Sequence, residues 1–167
     1  MKKTISLFVL FSIIMCIFSS SYASASSNDL KIKKIEYFDD GSYIVTETDI
    51  DNPTSFFKAD RSFSFTTGST TTTYYSSSNE ALCALKITGT FKYDGNTVSC
   101  TNKYYTTYSY NSDWTVEDTS SSSGTNSSST QAYAKADGKF VKRTFGIVVK
   151  RISTSAIRYC DKNGILS

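Results

Sequence analysis

The chain of 167 residues has no histidine, and this absence excludes several kinds of chemistry. Without an imidazole, neither a Ser-His-Asp nor a Cys-His catalytic site can form, and zinc sites with histidine ligands are excluded as well. The four cysteines lack the close pairs typical of thiolate zinc sites. The eight glycines form no phosphate-binding loop. The sequence therefore predicts neither a metal nor any other cofactor.

The N-terminus has the three parts of a secretory signal peptide. Lys2 and Lys3 form a positive start, residues 5–18 are largely apolar, and small residues precede a cut after Ala23 or Ala25. A membrane-spanning helix needs about 20 apolar residues, and this stretch is shorter. We therefore expect a signal-peptide helix over residues 1–23 that is removed. The product is expected to be secreted, either free in the surroundings or held at the cell surface.

Net charge is also small. The full chain has 18 basic and 15 acidic residues, and two of the basic ones lie in the predicted signal peptide. A nearly neutral protein lacks the positive field that attracts nucleic acid or an anionic membrane surface. We therefore expect no nucleic-acid partner and no stable membrane anchor. Residues 24–29 are predicted to be a disordered N-terminal segment, and residues 30–167 a single β-sandwich domain.

Alternation of apolar and polar residues between turn residues predicts a chain made of strands. No apolar period of a helix is sustained over about ten residues. The predicted strands are 30–38, 42–48, 62–67, 70–75, 82–93, 96–108, 112–118, 131–136, 140–149 and 152–160. This pattern favours an all-β fold, an antiparallel two-sheet sandwich of immunoglobulin-like type. A closed barrel is the alternative.

One predicted hairpin has consequences for the cysteines. Asp94-Gly95 suits a two-residue turn, and the register that follows places Gly89 opposite Cys100, leaving room for the sulfur. Lys86 then lies opposite Lys103, an unfavourable pair. In this register Cys83 and Cys100 are about 20 Å apart, and bridged Cα atoms lie within about 7 Å of each other. A disulfide between these two residues is therefore excluded.

Three states of the remaining thiols stay open, two with a disulfide and one without. We prefer a Cys100–Cys160 disulfide, followed by Cys83–Cys160, since disulfides persist outside the cell. Three reduced thiols, buried as small apolar groups, are the third alternative. A separate low-complexity run, residues 119–130, is rich in serine and is predicted to be a mobile loop. The alanines that follow it, at positions 132, 134 and 136, would suit close packing beneath a large residue such as Trp114.

Carboxylates are the remaining catalytic option, and a secreted glycoside hydrolase would need two of them about 5–10 Å apart. The candidates are Asp39, Asp40, Glu47, Asp49, Asp51, Asp60, Glu80, Asp113, Glu117, Asp118 and Asp137. Most lie in turns or at strand ends, where aspartate bonds to nearby backbone. Residues 49–52 and 161–164 offer oxygens for calcium without the full loop spacing, and turns account for both. We therefore expect a protein that is not an enzyme.

Tyrosine is the notable excess, with 12 in the full chain. Four crowd one segment, Tyr104, Tyr105, Tyr108 and Tyr110, close to Trp114, and Tyr74-Tyr75 form a second group. An exposed aromatic surface is suited to stacking on sugars or gripping a protein. The alternative is that these residues are simply good strand formers. We expect a non-catalytic binding domain for an extracellular protein or a glycan; a membrane-active β-toxin is a third, weaker hypothesis.

The C-terminal half resembles a known kind of protein. Residues 81–101 (ALCALKITGTFKYDGNTVSCT), Asp113-Trp114, the alanine-rich strand and the ending Tyr159–Gly164 carry the resemblance. They are similar to small secreted proteins of Clostridia-type Gram-positive bacteria, which are domains of unknown function. The resemblance covers roughly residues 80–167 and implies no activity. It implies that Cys83 is the spare thiol, since relatives have an aromatic residue at its place.

Overall fold

The computed structural model describes residues 30–50 and 63–167, and these form eight β-strands. The strands are β1 Leu30–Tyr37, β2 Tyr43–Ile50, β3 Ser64–Tyr75, β4 Ala81–Tyr93, β5 Val98–Ser109, β6 Trp114–Thr125, β7 Gln131–Thr144 and β8 Ile147–Asp161. The predicted signal peptide, the segment 24–29, and the oxygen-bearing residues 51–52 lie outside the described residues. No helix of the described ranges could cross a membrane.

The strands form two antiparallel sheets, which confirms the all-β, two-sheet prediction. The front sheet has the order β1-β2-β3-β4-β5, and the back sheet has the order β6-β7-β8. Immunoglobulin-like connectivity is not confirmed. That fold requires Greek-key crossovers between sheets, whereas here the described strands of each sheet follow one another in sequence and the chain passes from one sheet to the other once, between β5 and β6.

The core lies between the facing sides of the two sheets. Strand β7 contributes three fully buried alanines and Phe140, and β4 contributes Leu85, Ile87 and Phe91. The sheets approach so closely that a Cβ built on Gly89 would lie 2.8 Å from the Cβ of Ala134. The predicted close packing of the alanines is thus present. Trp114 instead packs edge-on against Tyr74, with ring centroids 5.4 Å apart.

The β4–β5 hairpin corrects the predicted register. Tyr93 pairs with Val98 rather than Asn96, so the connection has four residues instead of two. The carboxylate of Asp94 stabilises this loop because it accepts backbone N–H bonds from Asn96 at 2.9 Å and from Thr97 at 2.7 Å. A β-bulge between Thr90 and Phe91 then shifts the pairing again.

This shift changes what lies opposite the two residues that the prediction singled out. Gly89 pairs with Lys103, not Cys100, and its open side is filled by Ala134 and Phe91 rather than by a sulfur. Lys86 pairs with Thr106, so the predicted like-charge pair does not form.

The serine-rich run is mostly a strand, contrary to the predicted mobile loop over 119–130. Strand β6 continues to Thr125 and pairs with β7 along this length, from Thr119 opposite Gly138 to Thr125 opposite Ala132. A strand at a sheet edge buries only its inner side, so the apolar surface comes from β7 and the serines remain in solvent. Only residues 126–130 form the turn.

Two other boundaries differ from the prediction. Residues 62–75 do not form two strands around Gly68, because β3 passes through that position without a break. A larger residue at position 68 would clash with the core, since its Cβ would lie 2.5 Å from the Nε atom of Arg158. The predicted strand 140–149 is instead divided by a tight turn at Phe145-Gly146.

Arg158 is the largest fully buried side chain among the described residues. It projects from β8 into the space between the sheets, beside Gly68 and Leu166. Its Nη2 donates a hydrogen bond to the backbone carbonyl of Asp49, near the end of β2. The guanidinium therefore joins the back sheet to the front sheet.

Candidate binding surface

Three tyrosines stand side by side on the solvent-facing side of the front sheet. Tyr37, Tyr43 and Tyr75 occupy directly paired positions on β1, β2 and β3. The rings of Tyr43 and Tyr75 are stacked, with centroids 5.0 Å apart and planes 9° apart. The Tyr37 ring lies 5.5 Å from that of Tyr43 and is tilted by 43°. Direct pairing across strands thus orders the three rings into a line.

Two further tyrosines extend this line across the sheet. Tyr108 pairs with Ala84 on the outward side of β4, and its ring stacks on that of Tyr110 with centroids 6.1 Å apart. The backbone N–H of Tyr110 donates to the carbonyl of Leu82 at 2.9 Å, and the adjacent Ala81 pairs with Tyr75, so Tyr110 lies at the same end of β4 as Tyr75. We call Tyr37, Tyr43, Tyr75, Tyr108 and Tyr110 the tyrosine row.

The tyrosine row rests on an apolar floor. Val45 and Ala84 point to the outer side of the front sheet, yet they are only 3% and 1% exposed. Small residues on a solvent-facing sheet become buried only when large neighbours lie over them. The register supplies those neighbours, because Val45 is two residues from Tyr43 and Ala84 is paired with Tyr108. The floor is therefore apolar on β2 and β4, at Val45 and Ala84, and carries the hydroxyl of Thr73 between them on β3.

A groove of about 400 Å³ opens at the β1 end of the tyrosine row. Its walls include Tyr37, Tyr43 and Tyr75, together with Ile35 and Asn79. The Tyr43 hydroxyl donates to the Oδ1 atom of Asn79 at 3.1 Å, which fixes one ring against the loop between β3 and β4. This volume is in the range of small-ligand sites. The groove thus offers ring faces and edges together with hydroxyl and amide groups.

The surroundings of the tyrosine row are polar but carry little net charge. Threonines occupy outward positions beside it, among them Thr71, Thr73 and Thr106. The nearest ions include Lys33 and Glu47, which pair with each other at 3.8 Å. Partial burial raises the pKa values of Tyr75 and Tyr110 above the usual value for tyrosine. Both hydroxyls are therefore neutral at physiological pH. In this state each can donate and accept hydrogen bonds.

The structure separates the five aromatic residues predicted as a binding group. All four tyrosines are exposed, and Tyr104 and Tyr108 lie on the outer side of the front sheet. Tyr105 lies on the opposite side of β5 and its hydroxyl is 2.9 Å from that of Thr119. Trp114 is buried in the core.

The prediction missed the other half of the site. Tyr37 and Tyr43 had no role in it, although Tyr37 is 73% exposed. Tyr74-Tyr75 was noted only as a pair, and the structure divides it, with Tyr74 in the core and Tyr75 in the tyrosine row. The available signal was the turn Asp39-Asp40-Gly41, which folds β1 against β2 so that Tyr37 and Tyr43 meet.

The three described cysteines are free thiols, so the preferred Cys100–Cys160 disulfide is not present. The Sγ atom of Cys100 donates to the carbonyl of Asn102 at 3.3 Å, and that of Cys160 donates to the carbonyl of Asp161 at 3.4 Å. Each sulfur is thus directed to a backbone carbonyl of its own strand. The arrangement corresponds to the third alternative, in which the thiols are reduced.

Alkylation is expected to distinguish these thiols. Burial raises the pKa of Cys83 and of Cys160 to about 12, so both stay protonated and shielded at pH values near neutrality. Cys100 is only partly buried. Iodoacetamide should therefore modify Cys100 in the native protein and all three residues after denaturation, as measured by peptide mapping. A native mass lower by two hydrogen atoms, restored by reductant, would contradict this result.

A groove of the back sheet contains two carboxylates, but they do not form the acid and base pair that a glycoside hydrolase requires. Asp118 and Asp137 both line this groove of about 400 Å³. Asp137 lies 2.8 Å from Lys135, and Asp118 lies 3.7 Å from Lys139. Hydrogen bonds from Lys135 and Ser155 lower the pKa of Asp137, whereas a general acid needs a raised pKa.

The described residues also contain no group of three His, Cys, Asp or Glu side chains that could hold a metal. The predicted turn at residues 161–164 is confirmed. Its Asp161 carboxylate accepts backbone N–H bonds from Asn163 and Ile165, both at 2.8 Å, which accounts for that aspartate without an ion.

Comparison with known proteins supplies no family for this chain. Protein-family models, curated proteins and solved structures all gave no match. The resemblance to small secreted proteins of Gram-positive bacteria therefore stays a prediction, and any function has to be argued from the tyrosine row itself.

Proposed function

We propose that this chain is an exported, non-catalytic domain that binds a neutral glycan along the tyrosine row. The observation that carries the proposal is the alignment of five tyrosines, four on strands β1, β2, β3 and β5 and one just after β5, over a buried floor of Val45 and Ala84. An exposed aromatic surface of this extent needs a reason, because soluble proteins rarely leave such patches uncovered. The signal-peptide pattern at the N-terminus supports export.

The chemistry of the surface favours a sugar over a charged ligand. Pyranose rings have apolar faces and many hydroxyl groups, and tyrosine offers an apolar ring with a polar tip. The row supplies the rings, while Thr73, Thr106 and Asn79 supply neutral hydrogen-bonding groups nearby. Lys33 and Glu47 compensate each other, and Lys86, which pairs with Thr71 and Thr106, adds a single positive charge to the same cross-strand row. The surface therefore offers no cluster of like charges to an ionic partner.

The dimensions suit an extended ligand. The row reaches from β1 to β5, which is four strand spacings or about 19 Å. At its β1 end the groove beside Tyr37 and Tyr43 would hold one terminal or branching sugar unit. The β5 end, with its stacked pair of Tyr108 and Tyr110, would support the following units. The proposal thus predicts binding of chains in preference to single sugars.

Binding to an array of neutral polysaccharides tests the proposal. Tyr37→Ala and Tyr75→Ala are each expected to weaken binding about thirtyfold, the effect typical of truncating a tyrosine that contributes strongly to an interface. Tyr37 is well exposed, so its removal should leave the fold intact. The matched control is Tyr159→Ala, a partly exposed tyrosine on the back sheet, which should bind as wild type does.

Two results would overturn the proposal. One is that the protein retains no polysaccharide of the array. The other is that Tyr37→Ala and Tyr75→Ala bind as tightly as Tyr159→Ala, because the tyrosine row would then play no part in the interaction.

A further inference from the structure

The tip of the β7–β8 hairpin presents apolar side chains to solvent at a strained turn. Thr144 pairs with Ile147, so Phe145-Gly146 is a two-residue turn, and both residues have positive φ angles, 49° and 80°. That conformation is favoured by Asn-Gly. A bulky residue with positive φ is an outlier, and Phe145 is moreover 100% exposed. The turn thus keeps phenylalanine at a position where asparagine would suit the backbone better.

The tip protrudes from the body of the protein. A Cβ built on Gly146 would meet no atom of the described chain within 4 Å. Two further apolar residues continue the exposed surface below the turn, Ile147 at 69% and Val149 at 57% exposed. The three side chains therefore form a projecting apolar wedge rather than a flat patch or a groove.

Basic residues flank this wedge. From Gly138 to Cys160 the sequence contains six basic residues and no acidic one. Of those near the tip, Lys150 pairs with Asp40 and Arg151 pairs with Glu117. Lys142 and Arg143 have no carboxylate within ion-pair distance among the residues that the structure describes. The small net charge of the whole chain thus conceals a local excess of positive charge at the tip.

We propose that the hairpin tip, residues 142–149, docks the protein reversibly on a membrane surface with anionic headgroups. Phe145 and Ile147 enter the boundary between headgroups and acyl chains, and Lys142 and Arg143 contact the headgroups. A projecting wedge with flanking cations matches the amphipathic elements that bind at this boundary. An apolar pocket of a protein partner would need no cations, so the charge favours lipid.

Vesicle co-sedimentation of the full chain tests this inference. The protein is expected to bind vesicles of phosphatidylglycerol and phosphatidylcholine more tightly than vesicles of phosphatidylcholine alone, with affinity falling as salt is added. Phe145→Asn should weaken binding at least tenfold, through loss of the buried ring. It should not unfold the protein, because asparagine favours the positive φ of this turn. The apolar residues 5–18 are the same in every variant, so the differences report the tip.

Two further variants sharpen the test. Replacing Lys142 and Arg143 together by glutamine should remove most of the preference for anionic vesicles, a loss of about tenfold or more. The matched control Phe65→Asn changes another exposed phenylalanine, on β3, and should bind as wild type does.

A site-specific readout comes from Phe145→Trp. Its emission should shift to the blue with anionic vesicles and be quenched by brominated lipid, whereas the buried Trp114 should not respond. The inference is overturned if Phe145→Asn binds vesicles as tightly as wild type, if Phe65→Asn weakens binding equally, or if the Phe145→Trp emission is unchanged by vesicles.

Discussion

An Arg158→Ala variant is expected to lose about 3–5 kcal/mol of unfolding free energy, the loss typical of truncating a large buried side chain. Arg158 is 0% exposed and fills the space beside Gly68 and Leu166. Its removal would leave a cavity between the sheets and deprive the carbonyl of Asp49 of a charged hydrogen-bond donor. Since domains are stable by only about 5–15 kcal/mol, a loss of this size would remove a large part of the total.

Urea unfolding followed by tryptophan fluorescence measures this loss, because Trp114 lies in the same core. Arg158→Met should lose less than Arg158→Ala, since it retains much of the volume and removes the charge that burial penalises. The matched control is Arg151→Ala, whose side chain is 65% exposed and pairs with Glu117 at 3.4 Å. A loss for Arg158→Ala no larger than that of Arg151→Ala would contradict the buried role of the guanidinium.

A Gly89→Val variant is expected to lose about 3 kcal/mol, near the upper end for overpacking a core. The new Cβ would lie 2.8 Å from the Cβ of Ala134 and 2.8 Å from the Cζ atom of Phe91. The Ala134 methyl is attached directly to the backbone of β7, so it cannot rotate away. The two sheets would have to separate locally.

The same unfolding measurement serves for Gly89→Val, with Thr106→Val as its control. Thr106 lies on the exposed side of β5, where valine is well tolerated in a strand. Wild-type stability in Gly89→Val would show that Gly89 does not face the alanines of β7. It would thereby contradict the close packing of β4 against β7.

The strands with clear alternation and strong turn residues were predictable from the sequence. Strand β1 begins at the predicted residue and ends one residue earlier, and β4 begins one residue before the predicted position. In both, apolar residues alternate with polar ones, and a turn containing Asp-Gly follows. These signals are local, and the structure keeps them because one side of each strand faces a neighbour or the core.

The register of β5 was not predictable, because it depends on the side chain of Asp94 and on the β-bulge at Thr90. Asp94-Gly95 suits a two-residue turn. The longer loop is selected by hydrogen bonds that the Asp94 carboxylate accepts from the backbone N–H groups of Asn96 and Thr97. The bulge at Thr90 then exchanges the two sides of β5 relative to the predicted pairing. A slip of one position changes the side of every residue, and this one places Tyr104 and Tyr108 outward.

The tyrosine row could be predicted only in part, because strand pairing as well as proximity in sequence brings its members together. Clustering along the sequence identifies Tyr108 and Tyr110, but Tyr37 and Tyr43 join them through the order of strands in the front sheet. The serine-rich run shows the opposite case, since its low complexity hides a strand. Its pairing partner, β7, is what makes that segment regular.

The sequential strand order has a consequence for how the protein acquires its structure. Within each sheet, every strand pairs with the one made just before it, so the front sheet can grow by successive local hairpins. Local pairings close short loops, which makes them kinetically favourable compared with crossovers between distant segments. The packing of the two sheets, of β7 and β8 against β3, β4 and β5, is what joins distant parts of the chain. A polypeptide threaded linearly through an export channel would therefore be able to order its first five strands before its C-terminus appears.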